Sequence, residues 1–505
     1  MPNHQQQMKK CIIIGSGLGG LSCGHILARN GYEVTVLEQE TQAGGCLQSF
    51  VRKGAKFETG MHFIGSAEEG QTLYPLLRYL ELENLPLSRL DTTGYDVISM
   101  QQGRFAFANG REAFVETLAA HFPKERDGLH RYFDLVERLA QASPINGHRP
   151  TPEQMHLKTE YQMRAVDEVI NGFTNDALLR NVLVGNLPLY AGERGQTPFS
   201  THAFITNFYN QSAFRLVGGS DIIAKRLTEG IARRGGRVLT RKRVEHITCN
   251  NSKATGVTTA DGEHFEADLV IAAIHPTLVM QMLNDTNLIR PAFRQRMLNL
   301  PNTKGVFTVY IKFKPQTVPY RNHNLYGYAA DTPWQCEQYT ADNWPCGFLY
   351  VHLSDALATN EQPPNTHQQW ATCGEIMSYM RYEEVERWAN TRIMHRGEEY
   401  EDFKRNRAER LINAVERHAP GLRKGIDCYF TSTPLTYEQY TSTLQGSMYG
   451  VAKDVRLGSA CHVPSRTRIP NLFFAGQNVN SHGMLGTLVG TLLTCGEVLG
   501  EKLKL

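Results

Sequence analysis

The sequence predicts an α/β fold: a parallel sheet assembled from separate parts of the chain, and an inserted α+β domain that contains an antiparallel sheet. Three observations predict it. A short apolar strand runs into a glycine-rich turn at residues 11–20, a second apolar strand followed by a glycine lies near residue 475, and segments of alternating polarity lie between them. A chain of 505 residues has the length of about three domains, or of two large ones.

The composition is that of a globular protein without a marked charge bias. Hydrophobic residues make up 41% and charged residues 20% of the chain, and the formal net charge is only +3. So small an excess, without a block rich in lysine and arginine, predicts no nucleic-acid partner. The ten cysteines form no CxxC pair and no zinc spacing, which predicts no metal site and favours a reducing, cytoplasmic compartment.

The N-terminus has some features of a signal peptide, because Lys9-Lys10 precede an apolar run over residues 11–28. That run contains five glycines and lacks a small-x-small cleavage site, so we interpret it as a strand that enters a glycine turn. No continuous apolar stretch of about 18 residues occurs elsewhere, so we expect no membrane-spanning helix.

The first motif is a Rossmann-like unit of strand, turn, helix and strand. Residues 11–14 form the strand, Gly15, Gly17 and Gly20 meet the pattern GxGxxG, a helix follows as far as Asn30-Gly31, and a second strand is predicted at 33–37. In this pattern Gly15 permits the tight turn, Gly17 lets the backbone approach a pyrophosphate, and Gly20 lets helix and strand pack closely. The unit therefore predicts dinucleotide binding.

Two features that follow this unit concern the dinucleotide. Glu38, eighteen residues after Gly20, can accept hydrogen bonds from ribose hydroxyls and argues against a 2′-phosphate. NAD and FAD both remain open at this point. The pair Gly44-Gly45 lets the backbone approach a bound dinucleotide, although turn chemistry alone also explains two glycines.

The C-terminal segment predicts a return to the same sheet. Residues 469–477 are typical of a turn, a buried strand and a glycine loop ending in Gly476-Gln477, and a helix is predicted at 487–499. The free N–H groups and positive dipole end of that helix suit an anionic cofactor. An ordinary final strand and helix is the alternative interpretation.

The middle of the chain predicts further elements. A helix after Gly218-Gly219-Ser220, strands at 237–240, 243–247 and 267–273, and a hairpin turn at Asp261-Gly262 are expected to extend the dinucleotide-binding part. Elsewhere the alternating strand at 306–313 is expected to pair with a strand at 348–353, and amphipathic helices are expected at 125–140 and 402–417.

With these motifs the chain resembles the phytoene desaturase-related flavoproteins, and within them the branch of all-trans-retinol 13,14-reductase and carotenoid isomerase. The resemblance extends over most of the chain. The segments that carry it besides the glycine motifs are residues 58–65, 207–209, 433–436 and 446–450, and the run from Gly476-Gln477 into His482-Gly483, which favours that branch.

The resemblance implies FAD as the cofactor and two discontinuous domains. Residues 1–65, 212–290 and 440–505 would form the FAD-binding domain, and residues 66–211 and 291–439 the substrate-binding domain. Many members of the family carry an acid soon after the strand glycine, where this chain has Gln477 and Asn478. The implied cofactor contacts are Gly15, Gly17, Gly20, Glu38, Gln39, Gly44, Gly45, Val244, Gly476, Gln477 and Leu485.

The resemblance also implies an apolar tunnel that leads to the flavin, where hydride is exchanged with a carbon of a polyene. His62, Tyr449 and His482 are the titratable groups in the motifs expected near the flavin. They are the candidate catalytic residues, and a structural hydrogen-bonding role is the alternative for each. Reduction, desaturation and isomerisation of a retinoid-like or carotenoid-like substrate all remain open, as does the electron donor or acceptor, with a quinone or a redox protein as candidates.

Other functions also remain open. An amine-oxidase-type flavoenzyme would oxidise a C–N bond with oxygen as acceptor. A non-catalytic prenyl-binding protein of the same fold that has lost its flavin would have degraded glycine motifs, whereas here they are intact. A protein that stores or carries a carotenoid would bind a polyene without turnover. A lipid-dissolved substrate implies peripheral contact with a membrane, for which residues 73–80 are an apolar candidate patch; a packed helix is the alternative.

Overall fold

A computed structural model of the protein describes residues 8–142, 150–283, 286–330, 332–353, 369–500 and 503. The strands are β1 (Lys10–Ile14), β2 (Glu33–Leu37), β3 (Ser49–Arg52), β4 (Ala55–Glu58), β5 (Ile64–Gly65), β6 (Leu87–Arg89), β7 (Asp96–Met100), β8 (Gly103–Phe107), β9 (Ala213–Leu216), β10 (Arg237–Leu239), β11 (Val244–Cys249), β12 (Ala254–Thr259), β13 (His264–Glu266), β14 (Leu269–Ala272), β15 (Gly305–Phe313), β16 (Asn324–Tyr328), β17 (Gly347–Leu353), β18 (Cys373–Met380), β19 (Ile426–Ser432) and β20 (Leu472–Phe474).

The α-helices surround these strands and connect the sheets. They are α1 (Leu18–Arg29), α2 (Tyr74–Tyr79), α3 (Arg111–Ala119), α4 (Arg126–Gln141), α5 (Pro152–Gln162), α6 (Val166–Ile170), α7 (Ala177–Leu183), α8 (Phe199–Gln211), α9 (Asp221–Ala232), α10 (Pro276–Met282), α11 (Pro291–Leu298), α12 (Glu398–His418), α13 (Leu422–Gly425), α14 (Pro434–Thr441) and α15 (Gly483–Leu499).

A five-stranded sheet of order β10-β2-β1-β14-β20 has all its strands parallel, and it confirms the Rossmann-like prediction. Its central strand β1 is buried on both faces, as parallel strands usually are. Cys11 and Ile13 belong to one core with α1 and α9, whereas Ile12 and Ile14 belong to a second core with α10 and β12. Three distant parts of the chain therefore meet in one sheet.

The second large sheet has seven strands in the order β19-β15-β18-β17-β16-β7-β8. All neighbours are antiparallel except β16 and β7, which are parallel. The predicted pairing of the strand at 306–313 with that at 348–353 is wrong. β15 pairs with β18 and β19, and β17 lies one strand further away, because β18 is inserted between them.

Residues 73–80 form a packed helix rather than an exposed patch. Leu73, Leu76, Leu77 and Leu80 on and beside α2 are at most 3% exposed and belong to the core beneath the parallel sheet. Within the described part of the chain, no helix is long and apolar enough to cross a membrane. The domain boundaries expected from the sequence stay a prediction.

Candidate functional site

A cleft of about 340 Å³ lies between the carboxyl ends of the parallel strands and the seven-stranded sheet. The turns after β1, β2, β14 and β20 form one part of its wall, and β15, β17 and β18 contribute to the other. In open parallel sheets this edge is the usual place for a ligand. Motifs that are more than 400 residues apart in the sequence therefore meet at one site.

The turn after β1 leaves room for a ligand against its backbone. Gly15 has a φ of +92°, which a residue with a side chain rarely adopts, and Gly17 caps helix α1. A Cβ placed on Gly17 would meet no atom within 4 Å, because this side of the residue opens into the cleft. The first turn of α1 contains no acidic residue and no side-chain cap, so its N–H groups are available to an anion.

The other glycines hold neighbouring segments close to this turn. A Cβ on Gly20 would lie 2.0 Å from the Gly15 carbonyl oxygen, so Gly20 serves packing and does not line the cleft. Gly44 and Gly45 have positive φ values, and a Cβ on Gly45 would lie 3.1 Å from Gly17 Cα. This cradle of bare backbone at a helix N-terminus fits the diphosphate of a dinucleotide.

Gly19 is a site residue that the sequence analysis missed. A Cβ on Gly19 would lie 2.5 Å from Gly476 Cα, so this glycine lets the N-terminal turn and the loop after β20 touch. Gly476 lines the cleft with a φ of +92°. The adjacent glycines at 19 and 20 were the available signal, but the pattern assigns a role to the second one only.

Glu38, at the end of β2, is buried and its carboxylate holds the turn. Oε2 accepts hydrogen bonds from the Ser16 N–H (3.0 Å) and the Ser16 hydroxyl (2.5 Å), and Oε1 accepts one from the Glu40 N–H (2.9 Å). The Ser16 hydroxyl in turn accepts a hydrogen bond from the Gly44 N–H at 3.2 Å. Glu38 lines the cleft and also fixes the two glycine segments relative to each other.

The remaining expected cofactor contacts fall into two groups. Gln39, Val244 and Gln477 line the cleft, and the Gln39 amide also donates a hydrogen bond to the Ser442 hydroxyl at 2.6 Å. Leu485 does not line the cleft; it packs against the core beneath the sheet. Asn478 also lines the cleft, and it accepts a hydrogen bond from the Val451 N–H at 2.9 Å.

His62 lines the cleft in the loop between β4 and β5. Its Nδ1 lies 2.9 Å from Oε2 of Glu375, a fully buried carboxylate on β18. The pair meets the distance of an ion pair, but not the direction of a hydrogen bond. Glu375 has no motif around it that could have identified it from the sequence.

Tyr449 and His482 form a second polar pair. Tyr449 lines the cleft, and its hydroxyl donates a hydrogen bond to the Pro188 carbonyl oxygen at 3.2 Å. The His482 ring stacks on the Tyr449 ring, with centroids 4.1 Å apart, and its Nε2 lies 3.2 Å from the Leu189 carbonyl oxygen. Burial lowers the pKa of His482 to about 4, so this ring is neutral near pH 7 and its Nε2–H donates to that carbonyl. His482 therefore supports Tyr449 from behind and does not line the cleft.

The part of the cleft beside His62 and Tyr449 is apolar. Its wall is formed by Met61, Phe63, Leu189, Tyr209, Val306, Phe348, Leu349, Met377 and Met448. Among the lining residues that the structure describes, Glu38 is the one carboxylate and Lys242 the one lysine, and Arg and Asp do not occur. Lys242 is paired with Asp261 and Glu263, so its charge already has two partners.

Comparison with known proteins places this chain among the flavoproteins. The sequence profile of the flavin-containing amine oxidoreductase family matches residues 18–494. The chain is 27% identical to human all-trans-retinol 13,14-reductase over 97% of this chain and 86% of that protein. It is 22% identical to prolycopene isomerase 2 of an Oncidium hybrid cultivar, over 92% of this chain and 79% of that protein. These relatives confirm the branch that the sequence motifs indicated.

The solved structures agree on the fold. Putrescine oxidase, in the structure of its wild type bound to putrescine, superposes with a TM-score of 0.63 at 16% identity, covering 98% of this chain and 99% of that chain. At this level of identity the similarity establishes the α/β architecture.

Proposed function

The chain belongs to the family of flavin-containing amine oxidoreductases, and from that premise we propose that it reduces one conjugated double bond of an apolar, retinoid-like or carotenoid-like polyene. The protein is an oxidoreductase and its cofactor is FAD. The relatives named above act on a retinol and on prolycopene according to their names, and both names denote polyenes.

One observation carries the choice of substrate. The cleft wall beside His62 and Tyr449 is apolar and, among the described residues, contains no carboxylate. A cationic amine taken out of water needs a compensating negative charge or several acceptors, whereas a polyene needs only apolar area. This wall therefore favours a hydrocarbon substrate over an amine.

The glycine cradle is proposed to hold the cofactor. The backbone at Gly15, Gly17, Gly44 and Gly45 would face the diphosphate, and Glu38 would accept hydrogen bonds from the ribose. Val244, Gly476 and Gln477 would contact the cofactor further along the cleft. FAD would supply the hydride chemistry when bound. The protein groups would orient the substrate and supply the proton.

His62 and Tyr449 are the candidate polar groups beside the apolar part of the cleft. Burial raises the pKa of Tyr449 well above its ordinary value, so its hydroxyl stays protonated and serves to orient rather than to titrate. His62 is the candidate proton donor to the carbon next to the one that receives hydride. His482 keeps the Tyr449 ring in place.

The reaction is tested with flavin-reduced enzyme under anaerobic conditions, incubated with a panel of retinoids and carotenoids and followed by mass analysis. The expected product gains two mass units, and in deuterated water it carries deuterium on both carbons of the former double bond, because the flavin hydride exchanges with solvent. A product with the mass of the substrate and altered cis/trans geometry would make the protein an isomerase. Hydrogen peroxide and an aldehyde formed from an amine would replace the proposal with amine oxidation.

The electron donor and the working location belong to the same proposal. A quinol, a reduced flavin or a redox protein is the proposed donor, because the sequence carries one dinucleotide fingerprint and FAD would occupy it. Stopped-flow reduction by NADPH should therefore be much slower than a normal turnover of ~10 s⁻¹. We propose a cytoplasmic enzyme that meets its substrate at a membrane surface; binding to lipid vesicles by flotation checks the surface contact.

A further inference from the structure

Two buried carboxyl groups lie behind His62, and they differ in their partners. Glu58, at the end of β4, accepts hydrogen bonds from the Ser220 N–H (3.1 Å), the Ser220 hydroxyl and the Ser49 hydroxyl (3.2 Å). Glu375 accepts one, from the Glu58 N–H to Oε1 at 2.7 Å. Its Oε2 is buried, makes no hydrogen bond to a residue that the structure describes, and faces His62 Nδ1 at 2.9 Å.

The buried carboxylate of Glu375 is the part of this arrangement that needs a partner. A buried carboxylate with a single donor is unfavourable unless a cation lies next to it. Within the described part of the chain, His62 is the residue with which Glu375 forms an ion pair. An imidazolium at His62 would therefore compensate the charge of Glu375.

The same contact determines which side of the ring meets the cleft. Nδ1 is buried against Glu375, while the side chain as a whole keeps 10% exposure and lines the cleft. The part of the ring that includes Nε2 is therefore the part available to a bound substrate. A proton held on Nε2 would be delivered from that side.

We propose that Glu375 is a positioning residue that keeps His62 protonated and aims its Nε2–H into the cleft. This inference rests on the proposed function. With reduced FAD bound, one carbon of the substrate would receive hydride from the cofactor, and its neighbour would receive the proton from His62 Nε2. Breaking the carbon–carbon π bond and forming two C–H bonds would use the two electrons of the reduced cofactor, and neutral His62 would regain a proton from water.

Among the titratable groups that the structure describes around this pair, three stay uncharged near neutral pH and one is an exception. Burial raises the pKa of Tyr437 to about 12, that of Cys46 to about 11, and that of Tyr310 well above its usual range. Glu58 is the exception, because burial, opposed by its hydrogen bonds to Ser220, raises its pKa to about 7. The Glu58 carboxylate is bound by Ser220 and Ser49 and does not line the cleft, whereas Glu375 Oε2 lies 2.9 Å from His62 Nδ1.

The test measures the charge on His62 separately from turnover. In holoenzyme labelled with ¹⁵N-histidine, the His62 signals are assigned with a His62→Gln variant, and their shifts give the ratio of imidazolium to imidazole at pH 7. Glu375→Gln keeps the size of the side chain and an acceptor for the Glu58 N–H, but removes the charge. We expect the ratio to fall at least about tenfold, the usual effect of losing an opposite charge at this distance. The rate of polyene reduction should fall with it, at unchanged KM.

Two further variants complete the experiment. Glu375→Asp keeps the carboxylate, so its imidazolium ratio and its rate of polyene reduction should lie between those of the wild type and of Glu375→Gln. This variant also tests the inference if Glu375→Gln does not fold. Glu337→Gln makes the same exchange at another buried glutamate, which contacts Lys304 and not His62, and should leave the His62 ratio unchanged. An unchanged ratio in both Glu375 variants, or a lowered ratio with full activity, would overturn the inference. If neither the wild type nor any variant reduces a polyene, the proposed function fails. The ratio of imidazolium to imidazole at His62 still decides whether Glu375 acts on His62.

Discussion

Gly17 and Gly20 belong to the same turn but constrain the molecule in different ways. Gly17 has a φ of −63°, which residues with a side chain also adopt, and open space lies where a side chain would project. Gly20, in contrast, faces the Gly15 carbonyl oxygen. We expect Gly17→Val to fold with little loss of stability but to purify with almost no FAD, because its methyl groups would occupy the diphosphate position. Flavin absorbance per mole of protein measures this.

Gly20→Ala is the matched variant. Its Cβ would lie 2.0 Å from a backbone oxygen, so the strand and helix must separate. Overpacking of this kind costs about 1–3 kcal/mol of folding free energy. Urea unfolding should therefore show a loss of stability for Gly20→Ala and not for Gly17→Val. Full flavin content in Gly17→Val would show that this turn does not bind the cofactor.

Glu38 has a structural and a binding role, and two variants separate them. Glu38→Ala should weaken FAD binding by about 1.5–3 kcal/mol, the range for hydrogen bonds to a charged group. Ser16→Ala removes the hydroxyl that joins Glu38 to Gly44 but keeps the carboxylate, so its effect should be smaller. Titration of the apoprotein with FAD gives both dissociation constants. Equal effects would assign Glu38 to holding the turn.

At the scale of the elements, the sequence predicted what depends on local signals. The strand at 11–14 and the helix that ends at Asn30 lie within a residue or two of β1 and α1, because apolar runs and glycines mark their ends. The neighbours of β15 were not predictable, since β18 is more than 60 residues away and carries no turn that ties it to β15. Helix α15 begins at Gly483, four residues before its predicted start, because glycines at 483 and 486 hide the helical pattern.

The N-terminus of α15 gives the next prediction. His482 is its N-cap residue and stacks on Tyr449, which lines the cleft. His482→Ala should slow reoxidation of the reduced flavin by the polyene, by up to about 100-fold, since small displacements of an orienting group have effects of that size. FAD content should be unchanged, because His482 does not line the cleft.

Tyr449→Phe is the control for this effect. It keeps the ring that stacks on His482 and loses the hydrogen bond to the Pro188 carbonyl oxygen. If placement of the ring is what matters, Tyr449→Phe should react faster than His482→Ala in single-turnover stopped-flow measurements. The reverse order would assign the role to the Tyr449 hydroxyl itself.

At the scale of the whole molecule, the sequence identified the motifs of the site but not the contacts between them. His62 and Tyr449 were candidates because of their motifs, and both line the cleft. Glu375 lies on a strand without a motif, and its contact with His62 joins residues more than 300 positions apart. Similarly, Gly19 acquires its role only where it meets Gly476. Contacts of this kind depend on how the two large sheets pack.

The many buried titratable groups predict how stability depends on pH. Burial lowers the pKa of His25, His275, His323 and His482 to about 4. Between about pH 4 and 6.5 the unfolded chain therefore binds more protons at these histidines, and they make stability rise with pH. Burial raises the pKa of Glu58 and Asp96 to about 7 and that of Glu337 to about 9. The folded state binds more protons at these three acids, so their contribution is complete below about pH 4.5 and is lost as pH rises through those values.

The opposing contributions should produce a stability maximum near neutrality and a decline above it. By pH 8 the four histidines, Glu58 and Asp96 have largely lost their protons in the folded state. Of the groups named above, Glu337 is the one that still holds its proton there. Its Oε1 is buried and has no hydrogen-bond partner among the described residues, and its Oε2 lies 3.4 Å from Lys304 Nζ. A single proton corresponds to a slope of about 1.4 kcal/mol per pH unit. The free energy of unfolding in urea should fall between pH 7 and 9 in the wild type and stay nearly level in Glu337→Gln. An equal decline in both proteins would show that Glu337 is ionised in the folded state throughout this range.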